Sequence, residues 1–115
     1  MAAHNAPWDT GLAPERFSRP LPFETPWGSF AVFKLEGRFV AVQSFCPHLQ
    51  APLFDGTQSG DSITCPWHQW RFSLTDGRRI DAAGLLTGGK PCLERLVVGL
   101  SERGTLTLLP PKGDG

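Results

Sequence analysis

The stretch Ser29-Phe30-Ala31-Val32-Phe33-Lys34-Leu35-Glu36-Gly37-Arg38-Phe39-Val40-Ala41-Val42-Gln43-Ser44 decides the fold class. Phe30 to Leu35 is a run of aromatic and β-branched residues, Glu36-Gly37-Arg38 is a glycine-containing turn, and Phe39 to Gln43 is a second such run. Two β-rich runs joined this way predict a hairpin. The same signals recur outward from it. Downstream, Ser62-Ile63-Thr64 and Trp70-Arg71-Phe72-Ser73-Leu74 read as short strands. Thr75-Asp76-Gly77-Arg78 is a turn with the Asp-Gly pair that hairpins favour. Leu93 to Gly99 and Thr105 to Leu109 read as closing strands, joined by Ser101-Glu102-Arg103-Gly104. Upstream, Pro22 to Gly28 is rich in breakers and reads as a turn region. Six or seven short strands and no ten-residue helix predict an all-β fold, a small sandwich or barrel of short antiparallel strands.

Composition supports one folded domain. The chain has 115 residues, of which 40% are hydrophobic, with eight phenylalanines and four tryptophans to build a core. Eleven prolines and thirteen glycines fit a turn-rich fold. Residues 1–21 read as an irregular lead-in, 22–110 as the domain and 111–115 as a flexible tail. Eleven basic residues balance eleven acidic ones, for a formal net charge of zero. That balance gives no support for a nucleic-acid groove or an anionic membrane patch. No apolar run is long enough to cross a bilayer and no basic-then-apolar leader opens the chain, so the cytoplasm is the expected location. Three cysteines, an odd and sparse set, make a poor disulfide framework and fit a reducing compartment.

Two of those cysteines stand beside histidines in similar loops. The first loop reads Cys46-Pro47-His48, followed by Leu49 to Gly56. The second reads Cys65-Pro66-Trp67-His68, followed by Gln69-Trp70-Arg71-Phe72. Thiolates and imidazoles are the side chains that bind soft or borderline metals well. Each cysteine precedes a proline, which fixes φ and donates nothing to a ladder, as suits a turn. Leu53, Phe54, Trp70 and Phe72 can close over a metal core and exclude water. Two cysteines and two histidines could hold one tetrahedral zinc as a structural module. Small zinc modules usually pair like with like and place one pair on a helix; here each loop mixes the types and lies between strands.

In these two loops the chain resembles the Rieske-type [2Fe-2S] ferredoxin family, over the span from about 22 to 110. Pro47, Pro52, Leu53, Gly56, Pro66, Phe72 and Gly77 share in the resemblance. It implies a Rieske-like fold with two cluster-binding loops and one [2Fe-2S] cluster as cofactor. Cys46 and Cys65 would then hold the inner iron, and His48 and His68 the outer one, nearer solvent. The neighbours Pro47, Gln50, Pro66, Trp67, Gln69 and Trp70 would shield the cluster or meet a docking partner. The chain departs from the family pattern at Gln50 and Gln69, where members commonly carry glycine. Ala51 and Trp67 stand where respiratory-complex members have a stapling cysteine pair. Trp70 replaces a hydroxyl donor to cluster sulfur, and the chain has no tyrosine. Fewer donors imply a lower potential, so the likeness is to oxygenase-type ferredoxins.

The implied role is electron transfer, from an NAD(P)H-dependent flavoprotein reductase to a terminal oxygenase. A second resemblance, to small nitrite-reductase subunits, implies instead a fixed component of a larger reductase. No general-acid carboxylate pair, nucleophile triad or phosphate loop is visible, which argues for a carrier and against an enzyme in its own right. His4 lies in the lead-in and Cys92 before an apolar strand, so neither is expected to bind metal. Arg71, Arg78 and Arg79 form a basic group beside the second loop, read as a solvated face unless an acidic partner uses it.

Overall fold

The computed structural model describes residues 6–47, 50–67, 70–81, 84–85 and 92–111. Strands β2 (Leu21–Thr25), β3 (Gly28–Leu35), β4 (Arg38–Gln43) and β9 (Arg95–Leu96) form an antiparallel sheet in that spatial order. The hairpin of β3 and β4 is where the sequence places it, with Leu35 opposite Arg38 and Gly37 at φ 80° in the turn. Residues Phe30 to Phe33 are all buried, so β3 has core on both faces. The period of two then divides them. Phe30 and Val32 pack with Phe17, Ala41, Leu96, Leu106 and Leu108. Ala31, Phe33 and Leu35 pack on the opposite face with Val42, Leu53, Ile63, Phe72, Cys46 and Cys65.

Each face is covered by another sheet. One is three-stranded, in the order β1 (Trp8–Asp9), β11 (Leu106–Leu108), β10 (Val98–Leu100). The other runs β5 (Thr57–Ser59), β6 (Ser62–Thr64), β7 (Arg71–Ser73), β8 (Arg79–Ile80). All pairings are antiparallel. The all-β expectation holds, while none of the three sheets closes into a barrel.

The stretch read as an irregular lead-in departs from that reading. Trp8 pairs with Leu108, a 3-10 turn spans Pro14–Arg16, and Phe17 is fully buried against Phe23 and Phe39. Asp9 ties this end down by accepting bonds from the Gly11 amide, the Thr105 hydroxyl and Arg103. These donors, the Gly11 amide foremost, hold its carboxyl below the usual range. The breaker-rich stretch from Pro22 is also a strand rather than a turn. Because β2 is an edge, the missing amide of Pro22 leaves the sheet intact. Leu93 to Gly99, read as one strand, divides between two sheets at the exposed Val97. Among the described residues no helix is long and apolar enough to cross a membrane.

Candidate metal centre

The two Cys-bearing loops have the same closure. In the first, Phe45 bridges Pro52, and the Cys46 amide donates to the Ala51 carbonyl at 2.7 Å. In the second, Thr64 pairs with Arg71, and the Cys65 amide donates to the Trp70 carbonyl at 2.6 Å. Each closure leaves a four-residue tip, 47–50 or 66–69, beginning with proline and ending with glutamine. A paired stem fixes the residue at the base of its loop, and in both cases the residue just before the tip is a cysteine.

The stems are anchored differently. The Ser44 amide donates to the Ser29 carbonyl, and the Ser44 carbonyl accepts from Leu53 at 2.8 Å, tying the first loop to β3. The second loop sits at the β6–β7 turn. The Gln58 side chain links that sheet to the Lys34 carbonyl at 2.9 Å. Gly56 joins the two loops. A Cβ there would lie far inside contact distance of the Thr64 carbonyl oxygen and 3.2 Å from that of Leu53. Only glycine lets the end of the first loop lie against the backbone beside Cys65.

Cys46 and Cys65 are 0% and 1% exposed, free, and close enough for their thiols to interact by hydrogen bond. Burial pushes the Cys65 thiol up, the Trp67 amide hydrogen-bonds to it and pulls it down, and the Cys46 thiol beside it pushes it up. Two free thiols side by side in an apolar core suit one iron with thiolate ligation, and metal uptake would displace their protons. His48, His68 and Gln69 lie outside the described residues. Cys92 does not join the pair; it borders a separate cleft of about 550 Å³ with Trp27, Phe30 and Arg95.

Around the thiols, Pro47 and Pro66 are half-buried at the loop tips, and Trp67 is 51% exposed. Phe45 is also exposed and meets Phe54 edge to face. Trp70 is half-buried and packs against the core that holds both cysteines. Gln50 is the only non-glycine at positive φ among the described residues, at 61°. Its amide donates to the Cys46 carbonyl at 2.7 Å, and the left-handed turn leads the chain on to Ala51, whose carbonyl accepts from the Cys46 amide. A glutamine held there costs about 1 kcal/mol or more. Gln50→Gly is therefore expected to raise stability by about 0.5–1 kcal/mol, read as a midpoint a few degrees higher in thermal melts.

Arg79 is the residue that sequence reasoning placed wrongly. It is half-buried and stacked rather than free on a solvated face: its guanidinium carbon lies 3.9 Å above the Trp70 ring. The signal was available in the Asp76-Gly77 turn. It sets the β7–β8 register with Arg79 opposite Phe72, on the side of the sheet that Trp70 also occupies.

A family model for the Rieske [2Fe-2S] domain matches residues 17–85, more than half of the chain and both Cys-bearing loops. The chain belongs to this family. The Rieske domain is 39% identical over 62 residues to apoptosis-inducing factor 3 of Mus musculus, covering 54% of this chain and 10% of that protein. It is 38% identical over 52 residues to the ferredoxin component of the naphthalene 1,2-dioxygenase system of Pseudomonas aeruginosa, covering 45% of this chain and 50% of that one. The chain thus spans between a tenth and a half of the length of these curated relatives. The fold matches the ferredoxin of carbazole 1,9a-dioxygenase from Nocardioides aromaticivorans IC177 with a TM-score of 0.73, at 22% identity, over 93% of this chain and 99% of that one. With the family established, the cofactor it implies is one [2Fe-2S] cluster, and the paired thiols fit it.

Proposed function

We propose that this Rieske domain is a one-electron carrier, reduced by an NAD(P)H-dependent flavoprotein reductase and oxidised by a terminal oxygenase, and that it works in the cytoplasm. The observation that carries the proposal is the pair of matched loops that bring Cys46 and Cys65 together, both buried in one core. Cys46, His48, Cys65 and His68 are the proposed ligands. When bound, the cluster supplies a one-electron couple that two imidazoles in place of two thiolates make easier to reduce. The chain's own residues do the rest. The core of Leu53, Ile63 and Phe72 keeps water from the thiol side. The Trp67 amide donates to Cys65 sulfur and so favours added negative charge there. No carboxylate or nucleophile is asked to do chemistry, which makes this a carrier and not an enzyme.

Trp67 and Phe45 give the loop end two exposed aromatic rings on a domain with no net charge. We read them as the apolar part of a docking patch that excludes water during transfer. The relatives named ferredoxin components of dioxygenase systems support this reading. The test is reconstitution: the loaded protein is mixed with a flavoprotein reductase, NADH and a dioxygenase oxygenase component, and product is followed. Turnover is expected only with all components present, and Trp67→Ala is expected to raise the KM for this protein about fivefold or more while leaving its visible spectrum unchanged. A loaded protein that the reductase cannot reduce would contradict the carrier role. A chain isolated only as a tight stoichiometric subunit of a larger reductase would contradict the shuttle.

A further inference from the structure

The position of Arg79 goes beyond carrier function and, resting on that reading, concerns how the site is tuned. Arg79 stands opposite Phe72 in the β7–β8 register, and Phe72 is fully buried in the core that contains Cys46 and Cys65. Trp70 and Phe72 lie next to each other on that side, with ring centroids 6.4 Å apart. The Arg79 guanidinium therefore sits over a ring that itself packs on the thiol-bearing core. Its Nε is buried and has no hydrogen-bond partner among the described residues.

An arginine on a solvated face gives its donors to water. Burying one donor without an acceptor is unfavourable. Stacking on tryptophan offsets a comparable amount. The local energetics thus give little reason to prefer this placement, yet the strand register and the Trp70 face hold the charge over that ring. Arginine keeps that charge at any working pH. Reduction adds one negative charge to the site, and a fixed positive charge on the ring that packs against its core favours the reduced state over the oxidised one.

We propose that Arg79, stacked on Trp70, is a positioning residue that raises the reduction potential of the site held by the Cys46 and Cys65 loops. The electron stays with the site, and Arg79 neither gains nor loses a proton.

The test is a dye-coupled reductive titration of the loaded wild type, Arg79→Gln and Arg79→Lys, with thermal melts of each. Arg79→Gln is expected to lower the equilibrium constant for reduction about tenfold, which is about 59 mV for a one-electron couple. Arg79→Lys keeps the charge and is expected to stay within about threefold of wild type. The difference should persist in about 0.5 M salt, because a half-buried charge is screened little. If Arg79→Gln does not fold, Arg79→Met, which keeps the stem over Trp70, carries the same expectation. An unchanged potential in Arg79→Gln would overturn the proposal. So would an equal fall in Arg79→Gln and Arg79→Lys accompanied by lower melting points, since the stack would then be structural only. A wild-type protein with no reducible centre would instead overturn the carrier reading, so the two failures are distinguishable.

Discussion

Cys65→Ser is expected to yield a folded protein that has lost the cluster. Cys65 is 1% exposed, stands at the stem just before the second loop tip, and lies beside the Cys46 thiol in the same core. A serine hydroxyl there is a poor ligand for iron at neutral pH, because only the deprotonated oxygen binds well and it deprotonates far less readily than a thiol. The loop itself should survive, since its closure is a backbone bond between the Cys65 amide and the Trp70 carbonyl. The cost to the empty fold is that of one buried hydroxyl, about 1–3 kcal/mol. Iron per chain in the purified variant is therefore expected below about a tenth of wild type, with the visible absorption gone and the far-ultraviolet circular dichroism retained. Cys92→Ser is the control. Cys92 borders a different cleft, where its sulfur lies 3.9 Å from the Leu93 carbonyl, so full iron content is expected. A Cys65→Ser protein with two irons per chain would remove Cys65 from the ligand set.

Gly56→Ala is expected to be the most damaging single-methyl change near the site. Gly56 has an ordinary extended backbone, at φ −79° and ψ −171°, so its requirement is space and not left-handed conformation. The added methyl would run into the Thr64 carbonyl, and its nearest neighbours are backbone atoms with no rotamer to yield. Relief requires the strand that follows the first loop to move away from the residue before Cys65. Overpacking of this kind costs about 2–3 kcal/mol. In a domain of this size that lowers the melting temperature by on the order of 10 °C. The separation of the loops should also reduce iron retention. Gly37→Ala gives the contrast. Gly37 sits at positive φ in the β3–β4 turn with nothing within 4 Å of a new Cβ. Backbone strain alone, about 1 kcal/mol, should lower its stability and leave iron content full.

The central hairpin was legible in the sequence because both of its faces are buried and its turn carries a glycine at the required φ. The paired loops were legible through residue type and spacing, and the structure adds what spacing cannot show, that the two stems close identically and bring the thiols together. The departure at Gln50 was visible too. The structure keeps the left-handed turn there in spite of the side chain, so the Cys46 bond decides the conformation.

What the sequence hid has physical reasons. The β1–β11 pairing joins Trp8 to Leu108, a contact so distant along the chain that no local pattern encodes it. Thr57-Gln58-Ser59 is polar and short, and becomes β5 only because β6 lies beside it. Pro22 reads as a breaker until the strand around it is known to be an edge. Val97 interrupts an apolar run whose two halves serve different sheets, and a run alone does not reveal where it changes sides. Arg79 looked like one of three surface charges until the register carried it onto Trp70.

The most direct test of the central claim, that the paired loops hold one [2Fe-2S] cluster with mixed cysteine and histidine ligation, is electron paramagnetic resonance of the dithionite-reduced protein, with iron and sulfide assayed on the same sample. A rhombic spin-half signal with a low average g, at two irons and two sulfides per chain, is the predicted result, with a midpoint potential in the lower part of the roughly −150 to +300 mV range of such centres. A silent sample that holds stoichiometric zinc and no sulfide, after expression in iron-replete medium, would contradict the account and leave a structural metal module in its place.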